Sequence, residues 1–263
     1  MSAHTTAPDP PSLRQRRRAA ATREILAAAE LQITEQGPAA LSLRAVARSL
    51  DMTVQALYHY FPSRDALVTA LVAKAYDDLA DAVRQALENT AEEAATPRLV
   101  AAAEGYRRWA VAHPERFQLI YGTPLRYYTA PVEGPTTLAM RRLSALFQRE
   151  VFAGFTPAQL AAADTPALSP DLRARLAGLP PDALGAVPPP AVYLLMSAWG
   201  QLHGLVVLEV FGHTAFLGDA QAEIFRAAMH ALFTDLRRRI ADGAPGGAAG
   251  PGKTERPPAR PER

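Results

Sequence analysis

Apolar residues recur every three or four positions along most of this chain, and no stretch of strict alternation interrupts them, so the predicted class is all-α. Ile25, Ala29 and Ile33 are spaced by four and define a first helix that runs to Gln36, where Gly37-Pro38 ends it. Leu43, Val46, Ala47 and Leu50 then form one apolar face of a short helix behind Ser42, a residue suited to an N-cap. Asp51-Met52-Thr53 reads as a turn, Val54–Tyr60 as the next short helix, and Ser63 as the cap of a long helix from Arg64. Pro97 and Pro114 each open a further helix, at a position that tolerates a missing N–H. Leu138–Phe152 is amphipathic, and Ala191–Phe211 and Asp219–Ile240 are two long closing helices. Residues 154–190, rich in Pro and Ala, read as a connection with short helical turns near Pro157–Ala163 and Asp171–Leu176.

Two short apolar-faced helices around a tight turn make a helix-turn-helix, whose second helix enters the DNA major groove. In LRAVARSLDMTVQALYHYFPSRDAL (Leu43–Leu67), Val46, Ala47, Leu50, Met52, Leu57 and Phe61 would hold the unit together. Thr53, Val54, Gln55, Tyr58 and His59 are left over, and such polar or methyl-bearing groups read base edges or touch phosphates.

Together with ILAAAELQITEQG (Ile25–Gly37), this run resembles the N-terminal domain of the TetR family of bacterial repressors, and Tyr58-x-x-Phe61 followed by Arg64 is its most specific part. YRRWAVAHPERFQLIYG (Tyr106–Gly122) and WGQLHGLVVLE (Trp199–Glu209) resemble the segments after which the WHG-type C-terminal domain of one branch is named. The likeness covers roughly residues 16–240, apart from 154–190. It implies a three-helix DNA-binding domain over 16–66 and a larger ligand-binding and dimerisation domain over 67–240; composition makes 1–15 and 241–263 disordered tails. The last 23 residues contain 15 Gly, Pro or Ala, which agrees with disorder. The resemblance further implies phosphate contacts from Ser42, Arg44, Thr53, Tyr58, Tyr60 and Arg64, and base contacts from Val54, Gln55 and His59. Asp51 stands where the family has Gly; Asp tolerates the left-handed conformation better than most residues. Gln32 replaces a large apolar residue and has no evident partner.

The implied function is a cytoplasmic, homodimeric, sequence-specific regulator that binds a palindromic operator in double-stranded DNA. A repressor released by a small-molecule effector is the first expectation. The effector would sit between the middle helices, lined by Trp109, Phe117, Tyr121, Tyr127, Tyr128, Phe147, Trp199 and His203, and would be apolar or aromatic; the alternative for each of these residues is plain core. Gly200 and Gly204 let a partner helix approach closely, so the two closing helices are assigned to the dimer.

Composition limits the other readings. The net charge is only +2, so DNA affinity must come from a local patch rather than from the whole molecule, which disfavours an architectural DNA binder. All but Lys74 and Lys253 of the 28 basic residues are arginine. The Arg14–Arg18 run reads either as a solvated tail or as a flexible arm that adds phosphate or minor-groove contacts. Cys is absent, so no thiol chemistry is available. No cofactor and no metal are expected, because His203, Glu209 and His213 lack ligand spacing. GAAGPGKT (Gly247–Thr254) matches a phosphate-loop pattern, but no strand precedes it, and Pro257-Pro258 prevents the helix that should follow. An enzyme on a helical scaffold therefore has no visible machinery. Pro190–Gly212 is about long enough to span a bilayer, but Gln201, His203 and Glu209 are costly in hydrocarbon, and a buried helix explains it better.

Overall fold

The computed structural model describes residues 12–90, 95–122, 128–181 and 184–243, and every regular element among them is helical. The helices are α1 (Leu13–Gln36), α2 (Leu43–Ser49), α3 (Val54–Tyr58), α4 (Arg64–Glu88), α5 (Ala95–Ala112), α6 (Pro114–Tyr121), α7 (Pro135–Phe152), α8 (Pro157–Ala161), α9 (Pro170–Ala177), α10 (Pro189–Val210) and α11 (Gln221–Asp242).

Local chemistry sets most of these limits. A capping box starts α1: the Ser12 hydroxyl accepts from the Gln15 backbone N–H at 3.3 Å, and the Gln15 side-chain Oε1 accepts from the Ser12 N–H at 2.7 Å. Residues 13–15 are therefore helical, which corrects the expectation of a tail over 1–15; residues 1–11 lie outside the described residues. At the other end, Gly37 takes φ 80° and its N–H bonds to the Ile33 carbonyl at 2.7 Å. Ser63 caps α4 by accepting from the Ala66 N–H at 3.0 Å, and Pro114 is the first residue of α6. Pro97 lies inside the first turn of α5 rather than at its opening, α7 begins at Pro135 rather than Leu138, and α11 runs past Ile240 to Asp242. The rest of the C-terminal segment lies outside the described residues.

Two hydrophobic cores organise the chain. The first joins Ile25, Ala29 and Ile33 of α1 to Val46 and Ala47 of α2, Leu57 of α3, and Leu67, Val68, Leu71 and Val72 of α4. The second is built from the later part of α4 (Ala75–Leu87) with α5, α6, α7, α10 and α11. A boundary between residues 66 and 67 therefore falls inside α4, and that helix is shared by both cores.

The connection before α10 is also structured. The Asp164 N–H donates to the Arg239 carbonyl at 2.8 Å and Arg239 Nε donates back to the Asp164 carbonyl at 3.0 Å, tying the segment to α11. Helix α10 is long and apolar enough to cross a membrane by length and composition, yet Ala191, Leu194, Leu195, Ala198, Leu202 and Val206 pack into the second core.

Candidate functional site

The turn between α2 and α3 is closed by backbone geometry. Asp51 takes the left-handed conformation, φ 52°, while the Met52 N–H reaches the Ala47 carbonyl at 2.9 Å and the Asp51 N–H reaches Arg48 at 3.3 Å. This pair of bonds is a Schellman ending, in which Asp51 stands where glycine is usual. Thr53 then caps α3, its hydroxyl accepting from the Ala56 N–H at 3.1 Å. Helix α3 ends at Tyr58 rather than Tyr60, because the last turn tightens: the His59 and Tyr60 N–H groups bond three residues back, to Ala56 and Leu57.

On this scaffold Thr53, Gln55, Tyr58 and His59 are exposed, as is Arg44 on α2. Val54 and Tyr60 are half-buried against the first core. Ser42 occupies the N-cap position of α2 without a side-chain cap bond, so its hydroxyl stays available. Gln32 supplies the reason the strand of backbone here stays in place: its amide nitrogen donates to the Ala40 carbonyl at 3.0 Å and its oxygen accepts from the Ser42 N–H at 3.2 Å. Gln32 thus clamps the turn before α2 from α1. Arg64, half-buried, donates from Nε to the Leu41 carbonyl at 3.4 Å and braces the same turn from α4.

The arginine run is part of α1. Arg18 donates from Nη2 to the His59 carbonyl at 3.0 Å and lies over the Tyr60 ring, 5.4 Å from its centroid. A guanidinium at this place satisfies a carbonyl at the C-terminal end of α3 and stacks on an aromatic face. Arg18 is therefore a brace between α1 and α3, which corrects its reading as part of a flexible arm or tail. Arg14, Arg16, Arg17 and Arg23 are exposed on the same helix. Residues 12–66 carry eight arginines against five carboxylates, giving this end a basic excess that the whole chain's +2 conceals.

A cavity of about 300 Å³ opens in the second core between α4, α6, α7 and α10. Tyr121, Phe147 and Trp199 line it, together with Tyr76, Met140, Arg141, Leu143, Ser144, Gln148, Leu184, Leu195 and Met196, none of which the sequence alone singles out. The missed signal was the recurrence of residues 140, 144 and 148 on one side of α7. Phe117 and Trp109 belong to the core instead, at 0% and 6% exposure. Trp109 packs on His113, with ring centroids 5.3 Å apart. Tyr128 lines a neighbouring cavity of about 340 Å³ that shares Tyr76 and Met140 with the first, and its hydroxyl lies 3.1 Å from Thr69 Oγ1. Tyr127 lies outside the described residues.

His203 sits behind this wall rather than in it. Its ring stacks on Trp199 at 5.4 Å, and its Nδ1 is 2.8 Å from the Tyr106 hydroxyl. Burial lowers the His203 pKa below 6.5 and raises that of the Tyr106 hydroxyl. Both partners are thus uncharged, and the imidazole tautomer decides which of them donates in this hydrogen bond. Burial likewise pushes Tyr76 up to about 12, so the tyrosines around the cavity are neutral at physiological pH.

The two regions are joined by charge. Lys74 on α4 pairs with Glu30 on α1 at 3.0 Å and Asp78 at 2.7 Å; Arg116 on α6 pairs with the same two carboxylates at 2.6 and 3.0 Å. Further along, Arg107 holds Glu209 through Nε at 2.6 Å and again through Nη2, linking α5 to α10.

Comparison with known proteins agrees with this architecture. Residues 25–71 match the family described as bacterial regulatory proteins, tetR family, and residues 99–232 match the tetracyclin repressor-like C-terminal domain. The chain is 35% identical over 187 residues to the HTH-type transcriptional regulator Rv1816 of Mycobacterium tuberculosis, covering 69% of this chain and 76% of that protein. It is 32% identical to the crystal structure of the regulatory protein SCO4313, with a TM-score of 0.65 over 86% of this chain and 98% of the other. A protein from Rhodococcus sp. RHA1 of unknown function is 26% identical, with a TM-score of 0.60 over 82% of this chain and 95% of that one.

Proposed function

This chain belongs to the TetR family of bacterial regulatory proteins, a family of helix-turn-helix transcriptional regulators rather than enzymes, and we propose that it acts as a homodimeric repressor whose operator is released by a small-molecule effector. The observation that carries the reading is the exposed row Thr53, Gln55, Tyr58 and His59 on a helix held by Thr53, Arg18 and the Asp51 turn. In this reading Gln55 and His59 read base edges, with Val54 offering a methyl surface from its half-buried place. Ser42, Arg44, Thr53, Tyr58, Tyr60 and Arg64 meet phosphates. Arg14 and Arg17, on the stiff extension of α1, add phosphate contacts at the flank. The protein works in the cytoplasm, where its DNA is.

One recognition helix reads few base pairs; two, related by a two-fold axis, read half-sites one helical turn apart. The partner would dock on α10 and α11, where Met196, Leu208, Phe211 and Ile224 are exposed. We assign the effector to the 300 Å³ cavity, whose walls are mostly apolar and aromatic. Its wall residue Tyr121 is on α6, the helix whose Arg116 shares Glu30 and Asp78 with Lys74, so an effector that moves α6 meets a direct electrostatic tie to α1 and α4. The WHG-type affiliation rests on Tyr106, Trp199 and His203, which lie together in one ring cluster.

Selection of random duplex DNA by the purified protein at fixed salt tests the reading. An enriched palindrome is expected, and Gln55→Ala should relax preference at particular positions while Tyr58→Phe weakens all sequences alike. Retention without enrichment, lost as salt rises, would instead mark sequence-indifferent association.

A further inference from the structure

Taking the cavity between α4, α6, α7 and α10 as the effector site, we propose that the neighbouring cavity at Tyr128 is its second half. The occupant is an unbranched, uncharged chain with a polar end, and operator release requires a chain long enough to reach the second half. The two spaces share Tyr76 of α4 and Met140 of α7. Met140 is the movable side of that waist: it is 41% exposed, and a flexible thioether chain can swing outward without opening a hole in either core. Helix α7 lines the first space from Met140 to Gln148 and the second from Met140 back to Thr136. At about 1.5 Å per residue, the first stretch is about 12 Å long and the whole about 18 Å. An extended chain advances about 1.2 Å per bond, so roughly ten bonds fill the first cavity and about fifteen fill both.

Polarity fixes which way the chain lies. Ser144 and Gln148, on the side of the first cavity away from the second, make no side-chain hydrogen bond to the described residues. They offer a hydroxyl and a carboxamide to the polar end. Arg141 in the same wall is already engaged by Glu133 and by a further interaction. No carboxylate lines either cavity among the described residues, so an ionised end group finds no unanswered charge. In the second cavity Thr137 donates to the Val132 carbonyl at 3.0 Å and the Tyr128 hydroxyl lies 3.1 Å from Thr69 Oγ1, so a tail there meets mainly Val68, Val72 and Leu119. That is also where the ligand reaches the DNA-binding end. Val68 and Val72 are buried members of the first core, and Leu119 and Tyr128 pack against it; of the first cavity's lining only Tyr76 does. A short chain therefore binds with little contact to the first core, whereas a long one bears on the α4 residues that hold it together. Only the long chain can favour one arrangement of that core over another.

Straight-chain 1-octanol and 1-dodecanol, titrated into the full-length protein by calorimetry and Trp fluorescence, test the proposal. Each buried methylene should tighten binding about fourfold, so dodecanol should bind on the order of 10²-fold tighter than octanol. Thr137→Phe, which fills the second cavity alone, should leave octanol affinity unchanged and cut the dodecanol advantage below tenfold; Thr137→Leu, a smaller filler, replaces it if octanol binding is lost. At saturation dodecanol should release the operator and octanol should not. A dodecanol advantage that survives the filled second cavity, or full release by octanol, overturns the proposal while the first cavity remains the effector site. If neither alcohol binds, the proposal falls. The effector-site reading falls separately if Ser144→Phe, which fills the first cavity, leaves alcohol binding, or operator release by other compounds, unchanged.

Discussion

Substituting Gly200 and Gly204 together by Ala separates what a single chain wants from what a dimer wants. Within one chain a Cβ at either position would meet nothing within 4 Å. The only intramolecular effect is then helix propensity, a gain of about 0.8–1 kcal/mol for each Gly→Ala in the interior of α10. That gain is present in monomer and dimer alike and cancels from the dimerisation constant. If a partner's helix lies against this face, four new methyl groups enter a close contact, two from each protomer. At the low end of overpacking costs, about 1 kcal/mol each, the dimer loses about 4 kcal/mol. At 1.4 kcal/mol per decade this weakens the dimer on the order of 10³-fold. Sedimentation equilibrium measures the constant directly, and operator affinity should fall in parallel. Gly105→Ala is the internal control: its Cβ would lie 2.8 Å from Ala86 Cβ and 3.0 Å from the Ala82 carbonyl, so it should destabilise the protomer itself. A double variant that keeps its dimer constant within about threefold, while its thermal midpoint rises, would show the glycine face open to water and remove α10 from the interface.

Other expectations test separate links. Gln32→Ala should cost about 1–2 kcal/mol in chemical unfolding, for the two bonds it makes to residues 40 and 42; unchanged stability would mean the turn holds itself. Because burial depresses His203 below its ordinary 6.5, the unfolded chain takes up the proton first, and stability should fall as pH drops through 6.5. Urea midpoints between pH 7.5 and 5.5 should show that slope, and His203→Gln should flatten it; a slope that persists in the variant assigns it elsewhere. Arg14→Ala with Arg17→Ala removes four proposed phosphate contacts per dimer, so the log–log salt slope of operator binding should fall by about 3–4. An unaltered slope would return those arginines to the solvent.

The caps and breakers were legible because their chemistry is local. Gly37, Ser63 and Pro114 each mark an end through their own backbone or hydroxyl, and Asp51 adopts the left-handed turn that its short polar side chain permits. What escaped depends on residues far apart in the chain. Nothing near Arg18 announces His59, 41 positions on, and nothing near Gln32 announces the carbonyl it clamps. The cavity shows the same division. Phe117 and Tyr121 are equally aromatic and one helical turn apart, yet the first is core and the second a wall, because the packing of α6 on α4 and α5 decides which of them faces the space. Ser144 and Gln148 look like ordinary solvent-facing positions until α7 is docked.

Helix α4 contributes Leu67–Val72 to one core and Ala75–Leu87 to the other without a break. The reading head therefore cannot be cut out at residue 66 and expected to stand, since the excised piece would lose the wall against which Ile25, Val46 and Leu57 pack. Recombination faces the same constraint. A new sensing half can be joined to this head only together with a helix whose first two turns still suit the old core. Specificity for DNA and specificity for the signal are thus inherited as a unit, and they drift apart by point substitution more readily than by exchange of parts.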